Sequence, residues 1–255
     1  MRYNLFESLT KTLKLYQEVE LNYPQRALAT FKKFSNLLEF RRFYIASYEK
    51  MAKRYDSAER AQLSHELIDE SLQDIIAEAD VNELISCRKG CSACCHTQVS
   101  VNRDEADLLA ISILEDGIKI DVEKLVKQSL KKDSTEAWFE QDFQDRSCVF
   151  LDENGACKVY FDRPSVCRTN YAVSDPSACD TTNGHYQSIR LLKTKKPDLV
   201  TIAAFNLSGE GGALPHMLVQ AINRISQEKL TKSMKKNFKR FRLKQLKNLF
   251  NDLMM

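Results

Sequence analysis

The sequence predicts a mainly α-helical protein: a helical N-terminal region packed on an irregular, cysteine-rich metal-binding core with a small β-hairpin, closed by C-terminal helices. Three observations predict it. Glycine and proline are scarce, 7 and 5 among 255 residues, which argues against an all-β fold with its many tight turns. Apolar residues recur at helical spacing before the first cysteine and after the last. All eight cysteines lie between Cys87 and Cys179, whereas cysteines that merely fill a core would be scattered. With 43% hydrophobic and 29% charged residues, the chain has the composition of a folded protein and not of a disordered one.

Residues 1–82 read as a helical hairpin or small bundle. Leu5, Leu9, Leu13 and Tyr16 share one face, and Pro24 marks a break. Leu28, Phe31, Phe34, Leu38, Phe43, Ile45 and Tyr48 then make a broad apolar face. A third run, Ala61 to Ala79, places Leu63, Leu67, Ile68, Leu72, Ile75 and Ile76 on one side. His65 falls in this run and reads as structural.

Residues 83–186 form the cysteine core. It opens with Cys87-Arg-Lys-Gly-Cys91-Ser-Ala-Cys94-Cys95. Asn102, with Glu105 three positions on, is an N-cap signature, and the helix it starts carries Ala106, Leu109, Ala110 and Ile113. Further short helices are expected from Asp121 and over Ser134 to Phe143. Cys148 to Tyr160 contains two apolar runs around Asn154-Gly155, a favoured turn dipeptide, and reads as a β-hairpin with a cysteine on each arm. In Arg163-Pro164-Ser-Val-Cys167-Arg168, the proline favours a turn or helix start.

Residues 187–255 close the chain. Positions 188–206 are apolar enough to be buried, Gly209-Glu-Gly-Gly212 reads as a flexible connection, and Pro215 opens a helix to about Ile225. Eight Lys or Arg and no acid lie between Lys232 and Lys247, within a final amphipathic helix over 232–255. Phe238, Phe241, Leu246, Leu249 and Leu253 form its apolar arc. The net charge of +3 therefore belongs to one element, suited to an acidic protein, nucleic acid or an anionic membrane surface.

The thiols carry the chemistry. Thiolates bind soft and borderline metals tightly, and several must converge on one point. Cys87, Cys91 and Cys94 are spaced so that one turn of loop can wrap a metal, with Gly90 helping the backbone bend. Cys95, adjacent to Cys94, tends to point elsewhere and suggests a second metal or a polynuclear cluster. Cys148, Cys157 and Cys167 are the donors expected to complete the site, and Cys179 is the most remote. Arg88, Lys89, Arg163 and Arg168 flank the thiols and are placed to offset thiolate charge. His96 is a further candidate ligand. No apolar run approaches the roughly 18 residues of a membrane span, and the first twenty residues lack a secretory apolar segment. A reducing cytoplasm is then expected, where such cysteines hold metal and do not form disulfides.

Cys87-x3-Cys91-x2-Cys94-Cys95, Cys148-Val-Phe-Leu, Gly155-x-Cys157-x-Val-Tyr160 and Arg163-Pro164-x2-Cys167-Arg168 together resemble the YkgJ-type cysteine-cluster family, a zinc- or iron-chelating domain whose name-giving pattern is Cys-x2-Cys-x2-Cys-Cys. The first gap here is three residues long. The resemblance implies a metal site on these cysteines and extends distantly to flagellin lysine N-methylase. Members are labelled iron–sulfur oxidoreductases, so an iron–sulfur oxidoreductase or a methyl-transfer-related enzyme is the activity it implies. The spacing Cys87-x3-Cys91-x2-Cys94 also occurs in radical S-adenosylmethionine enzymes, but there it follows the first strand of a β/α barrel, and here it follows helices. Two readings stay open: an iron–sulfur or iron protein with redox or cofactor-dependent chemistry, and a zinc-stabilised interaction module without catalysis.

Overall fold

The computed structural model describes residues 22–229 apart from 89, 132–133, 174 and 185–188, and the backbone alone of 22–25 and 80. The helix expected over residues 5–16 and the basic segment 232–255 lie outside the described residues. What is described is mainly helical.

Three consecutive helices, α1 (Asn22–Phe34), α2 (Leu38–Ala52) and α3 (Ser57–Ile76), form the first body. Pro24, read as a break, sits in the first described turn of α1. The third helix begins at Asp56, whose carboxylate accepts the Glu59 amide at 3.0 Å and satisfies a donor that the helix start leaves unpaired. Leu28 and Phe31 of α1, Tyr44 and Met51 of α2, and Leu63, Ile68 and Leu72 of α3 share one core with Leu199, Val200, Ile202 and Ala203 of a later helix, α9 (Lys195–Ser208). A segment from far along the chain thus fills the centre of the N-terminal helices. Its Asp198 is buried and accepts hydrogen bonds from Thr30 (2.8 Å), Thr194 (2.9 Å) and Arg26 (3.3 Å).

A short helix, α4 (Ala79–Leu84), leads into the cysteine segment. Beyond it, strand β1 (Ser100–Asn102) runs into α5 (Arg103–Leu114). The expected cap is present in both directions: Asn102 Oδ1 accepts the Glu105 amide at 3.0 Å, and Glu105 Oε2 accepts the Asn102 amide at 3.0 Å. α6 (Val122–Ser129) starts from Asp121 and α7 (Thr135–Phe139) from Ser134, each cap side chain accepting an amide three residues on. α7 ends sooner than the expected Phe143. α8 (Ser165–Thr169) follows Pro164, and α10 spans 214–229. Val101, Ala106, Leu109, Leu125, Val149, Phe150, Leu214 and Leu218 form a second core, against which Cys148 and Cys157 pack.

The glycine-rich stretch departs from the expectation of a flexible connection. Gly211–Ala213 is strand β2, antiparallel to β1 with Val101 opposite Gly212. Glycine is required at 211 by space: a Cβ there would lie 2.6 Å from the Phe205 ring and 3.2 Å from the Val101 carbonyl oxygen. The Asn154-Gly155 turn does close, but as a single antiparallel bridge between Leu151 and Cys157. The ladder in the described residues is instead β1 with β2, joining segments more than a hundred residues apart. No helix among the described residues is long and apolar enough to cross a membrane.

Candidate metal centre

Four segments carry seven of the eight thiols. Cys87 and Cys91 lie on the loop after α4, Cys94 and Cys95 on a 3-10 turn (Ala93–His96), Cys148 and Cys157 on the two sides of the Asn154-Gly155 turn, and Cys167 in α8. Cys179 ends another 3-10 turn, Pro176–Cys179. All eight are free, and Cys91 alone is exposed. Backbone contacts lace the segments together. The Cys148 amide donates to the Cys95 carbonyl at 2.7 Å, and the Ser86 amide to the Ala172 carbonyl at 2.8 Å. Gly155, at φ 75°, turns toward the first loop: a Cβ there would lie 3.5 Å from Ser92 Oγ and 3.8 Å from the Gly90 carbonyl.

The thiols lie close enough to feel one another's charge. Burial pushes Cys148 up to about 11, helped by the charges of Cys157 and Cys94. Burial likewise drives Cys167 well up, with Cys94, Cys148 and Cys157 adding to it. Cys157 rises through burial, against the opposing pull of the Val159 amide and Arg163. Cys87 and Cys179 rise through burial too, each also raised by Cys94 and Cys91. Cys94 is the exception. A hydrogen bond from the Cys95 thiol holds it low, against burial, with Asn170 and Arg163 helping. The same bond, more than burial, keeps Cys95 protonated. Cys94 is thus the sulfur most disposed to ionise, its charge acts on the other buried thiols, and that repulsion is what a bound cation would relieve.

Amides donate to the sulfurs as well: Ala172 to Cys87 at 3.3 Å, Phe150 to Cys148 and Val159 to Cys157. In the last two the donor lies two residues after the cysteine, so each chain curls its own N–H onto its thiolate. Asn170 had no signal in the sequence beyond lying just after Cys167-Arg168. Its side chain bonds Cys94.

Of the four flanking cations, Arg163 is the one whose charge acts to lower Cys94 and Cys157, and its guanidinium lies 4.0 Å over the Tyr160 ring. Arg168 does not serve the expected purpose. It is buried and committed to Asp69, to the Arg163 carbonyl at 2.9 Å and to the Phe161 carbonyl, so it clamps the turn before α8. Arg88 donates to the carbonyls of Ile85 and Cys87 and also lowers Cys87. Lys89 lies outside the described residues. The His96 ring stacks on Phe143 at 4.0 Å with Nδ1 3.3 Å from the Ser92 carbonyl oxygen, and its own carbonyl accepts the Trp138 indole N–H at 3.0 Å. Burial lowers its pKa, as befits a neutral packed ring.

Among the described residues, no three Cys, His, Asp or Glu side chains stand drawn up in metal-binding geometry. The fit to a metal therefore lies in donor type: eight free thiols on segments tied together by backbone contacts, three of them with an amide bonded to the sulfur, suit zinc or iron. Comparison with known proteins agrees at that level. Residues 86–190 match the CxxCxxCC family, described as a "putative zinc- or iron-chelating domain". No curated protein and no solved structure matches the chain.

Proposed function

With residues 86–190 matching a family of zinc- or iron-chelating domains, we propose that this protein holds an iron centre, as an iron–sulfur cluster or iron bound by thiolates. Cys94, Cys95, Cys148, Cys157 and Cys167 are its inner donors, and Cys87, Cys91 and Cys179 stand on the outer side. The observation that carries this reading is the number of thiols between Cys87 and Cys179, eight where a single tetrahedral zinc ion uses four. A cluster with bridging sulfide spreads such a donor set over several metal atoms. When bound, such a centre would supply electron transfer or an open metal position, and the chain's own part is to hold the thiolates in a partly buried, amide-lined nest.

Protein purified without oxygen should be brown, absorb near 400 nm, and carry iron and acid-labile sulfide in stoichiometric amounts. Reversible bleaching by dithionite would extend the reading to redox function. Colourless protein carrying zinc alone under the same conditions would overturn the iron reading. It would favour the second one, a zinc-held interaction module. The observation behind that alternative is the i+2 amide bonding of Cys148 and Cys157, which fixes thiolates whether or not the metal does chemistry.

A further inference from the structure

α6 is apolar on an inner and on an outer side. Leu125 faces inward and belongs to the second core, whereas Val122, Val126 and Leu130 are 64%, 48% and 73% exposed. Residues four apart stand one above the other on a helix, so these three make a single outward row. Lone exposed apolar residues such as Tyr55 and Leu84 are ordinary on a protein surface. A contiguous row is a contact face. The lysines of α6 do not shield it, because Lys124 donates to Ser147 Oγ at 2.6 Å and Lys127 pairs with Asp145 at 3.2 Å.

The approach to this row is acidic. Positions 115–123 hold Glu115, Asp116, Asp121 and Glu123 against one cation, Lys119, and all five are exposed. The chain itself brings a matching segment to this place. The described part of α10 ends at Lys229, whose Nζ lies 3.0 Å from Glu115 Oε1. Val122 follows Glu115 by seven residues, at most about 25 Å of extended chain. Residues 230–255 come after Lys229, and a helix of that length spans roughly 39 Å, against roughly 12 Å for the row from Val122 to Leu130. They carry the eight Lys or Arg and the apolar arc of Phe238, Phe241, Leu246, Leu249 and Leu253. Apolar arc and basic charge on one segment complement an apolar row beside acids. A short tether also holds that segment at an effective concentration of about a millimolar, which favours it over a second copy of the chain.

We propose that residues 232–255 dock on their own chain, with the apolar arc on Val122, Val126 and Leu130 and the basic side chains toward the acids of 115–123. The acidic protein surface to which the basic segment is suited is then the protein's own. The docked segment covers the outer side of α6, whose inner side packs in the core that Cys148 and Cys157 also join.

The test uses the full chain with the photoreactive residue p-benzoylphenylalanine in place of Val126. Isotopically light and heavy protein are mixed in equal amounts and irradiated, and the cross-linked peptides are read by mass spectrometry. Links from position 126 to residues 232–255 within one chain are expected. Links between light and heavy chains would put a second copy on the row, and links to residues 1–21 would put a different segment there. Either result, or no link at all, overturns the proposal. A second measurement follows tryptic cleavage between 232 and 247 during brief digestion. Cleavage tracks the population of the opened form, so Val126→Glu should be cut there about tenfold faster than the wild type or more. Leu38→Glu, which alters an exposed residue of α2, should be cut as the wild type is. Equal rates for Val126→Glu and the wild type would also overturn the proposal.

Discussion

One carboxylate oxygen of Glu105 holds Ser165 twice: Oε1 accepts the Ser165 amide at 2.7 Å and its hydroxyl at 2.6 Å. The same oxygen lies 3.3 Å from His65 Nε2, and the other oxygen caps α5 through the Asn102 amide. Ser165 opens the helix that carries Cys167. A fully buried glutamate therefore ties α3, α5 and one of the candidate metal donors into a single unit.

Glu105 should accordingly govern acid stability. Burial alone would raise its pKa, but the hydrogen bonds from His65 and Ser165 outweigh burial and hold it below the ordinary glutamate value. A depressed carboxylate stabilises the fold above the unfolded pKa, about 4.3, and that contribution fades as pH falls through this value toward the lower folded one. Glu105→Gln should cost about 1–3 kcal/mol at neutral pH, because it leaves buried donors with a poorer acceptor. It should also flatten the acid limb of stability against pH. Urea unfolding at a series of pH values reads both effects, and a variant as acid-sensitive as the wild type would contradict the assignment.

Arg168 and Asp69 should be unequal partners in their ion pair. The arginine side chain is 5% exposed and the aspartate 46%, and only the arginine also grips the carbonyls of Arg163 and Phe161. Asp69→Asn keeps an acceptor for Arg168 but removes its counter-charge, and with the aspartate half exposed it should cost about 1–2 kcal/mol. Arg168→Ala strips partners from several buried acceptors and should cost about 3 kcal/mol or more. Equal losses in chemical denaturation would mean that the carbonyl contacts contribute little.

The contrast between Asn102 and Arg168 shows what a single sequence could reveal. Asn102 and Glu105 are three residues apart, and their capping role is written in that spacing, so it was legible before any fold was known. Asp121 and Ser134 were legible only as the starts of short helices, and the structure shows that each is the cap. Arg168 lies 99 residues from Asp69, and nothing local distinguishes an arginine that clamps a turn from one whose charge acts on thiolates. The cysteine clustering was equally plain, but which thiols feel the charge of Cys94 depends on how four separated segments fold. Gly211 failed for the complementary reason: a glycine demanded by a neighbouring ring looks, in sequence, like a glycine in a loop.

That ring supplies a prediction of its own. Phe205 is 3% exposed and has little room to swing away from a Cβ built 2.6 Å from its edge. Gly211→Ala should destabilise by about 1–3 kcal/mol, the usual cost of overpacking. Phe205→Leu in the same chain should recover part of the loss, because the two sites touch and their effects should not add. Additive losses in thermal unfolding would show that the clash is relieved elsewhere.

The eight cysteines should separate into two grades when replaced singly by serine. Cys148 and Cys167 are held among other thiols, and each is raised first by burial and then by neighbouring charge. Removing either deletes an inner donor and leaves its companions still crowded, so anaerobically purified Cys148→Ser and Cys167→Ser should lose most of their metal. Cys91 is exposed, where water can replace a lost sulfur and an altered side chain can turn outward without strain. Cys91→Ser should keep at least half the wild-type metal content, but with faster loss to an added chelator, because the outer side of the site is then less well covered. Metal analysis of the three variants, with folding checked by circular dichroism, decides the matter. If Cys91→Ser were emptied while Cys148→Ser stayed loaded, the inner and outer donors would have to be exchanged, and the centre would lie at the exposed loop instead of between the hairpin and α8.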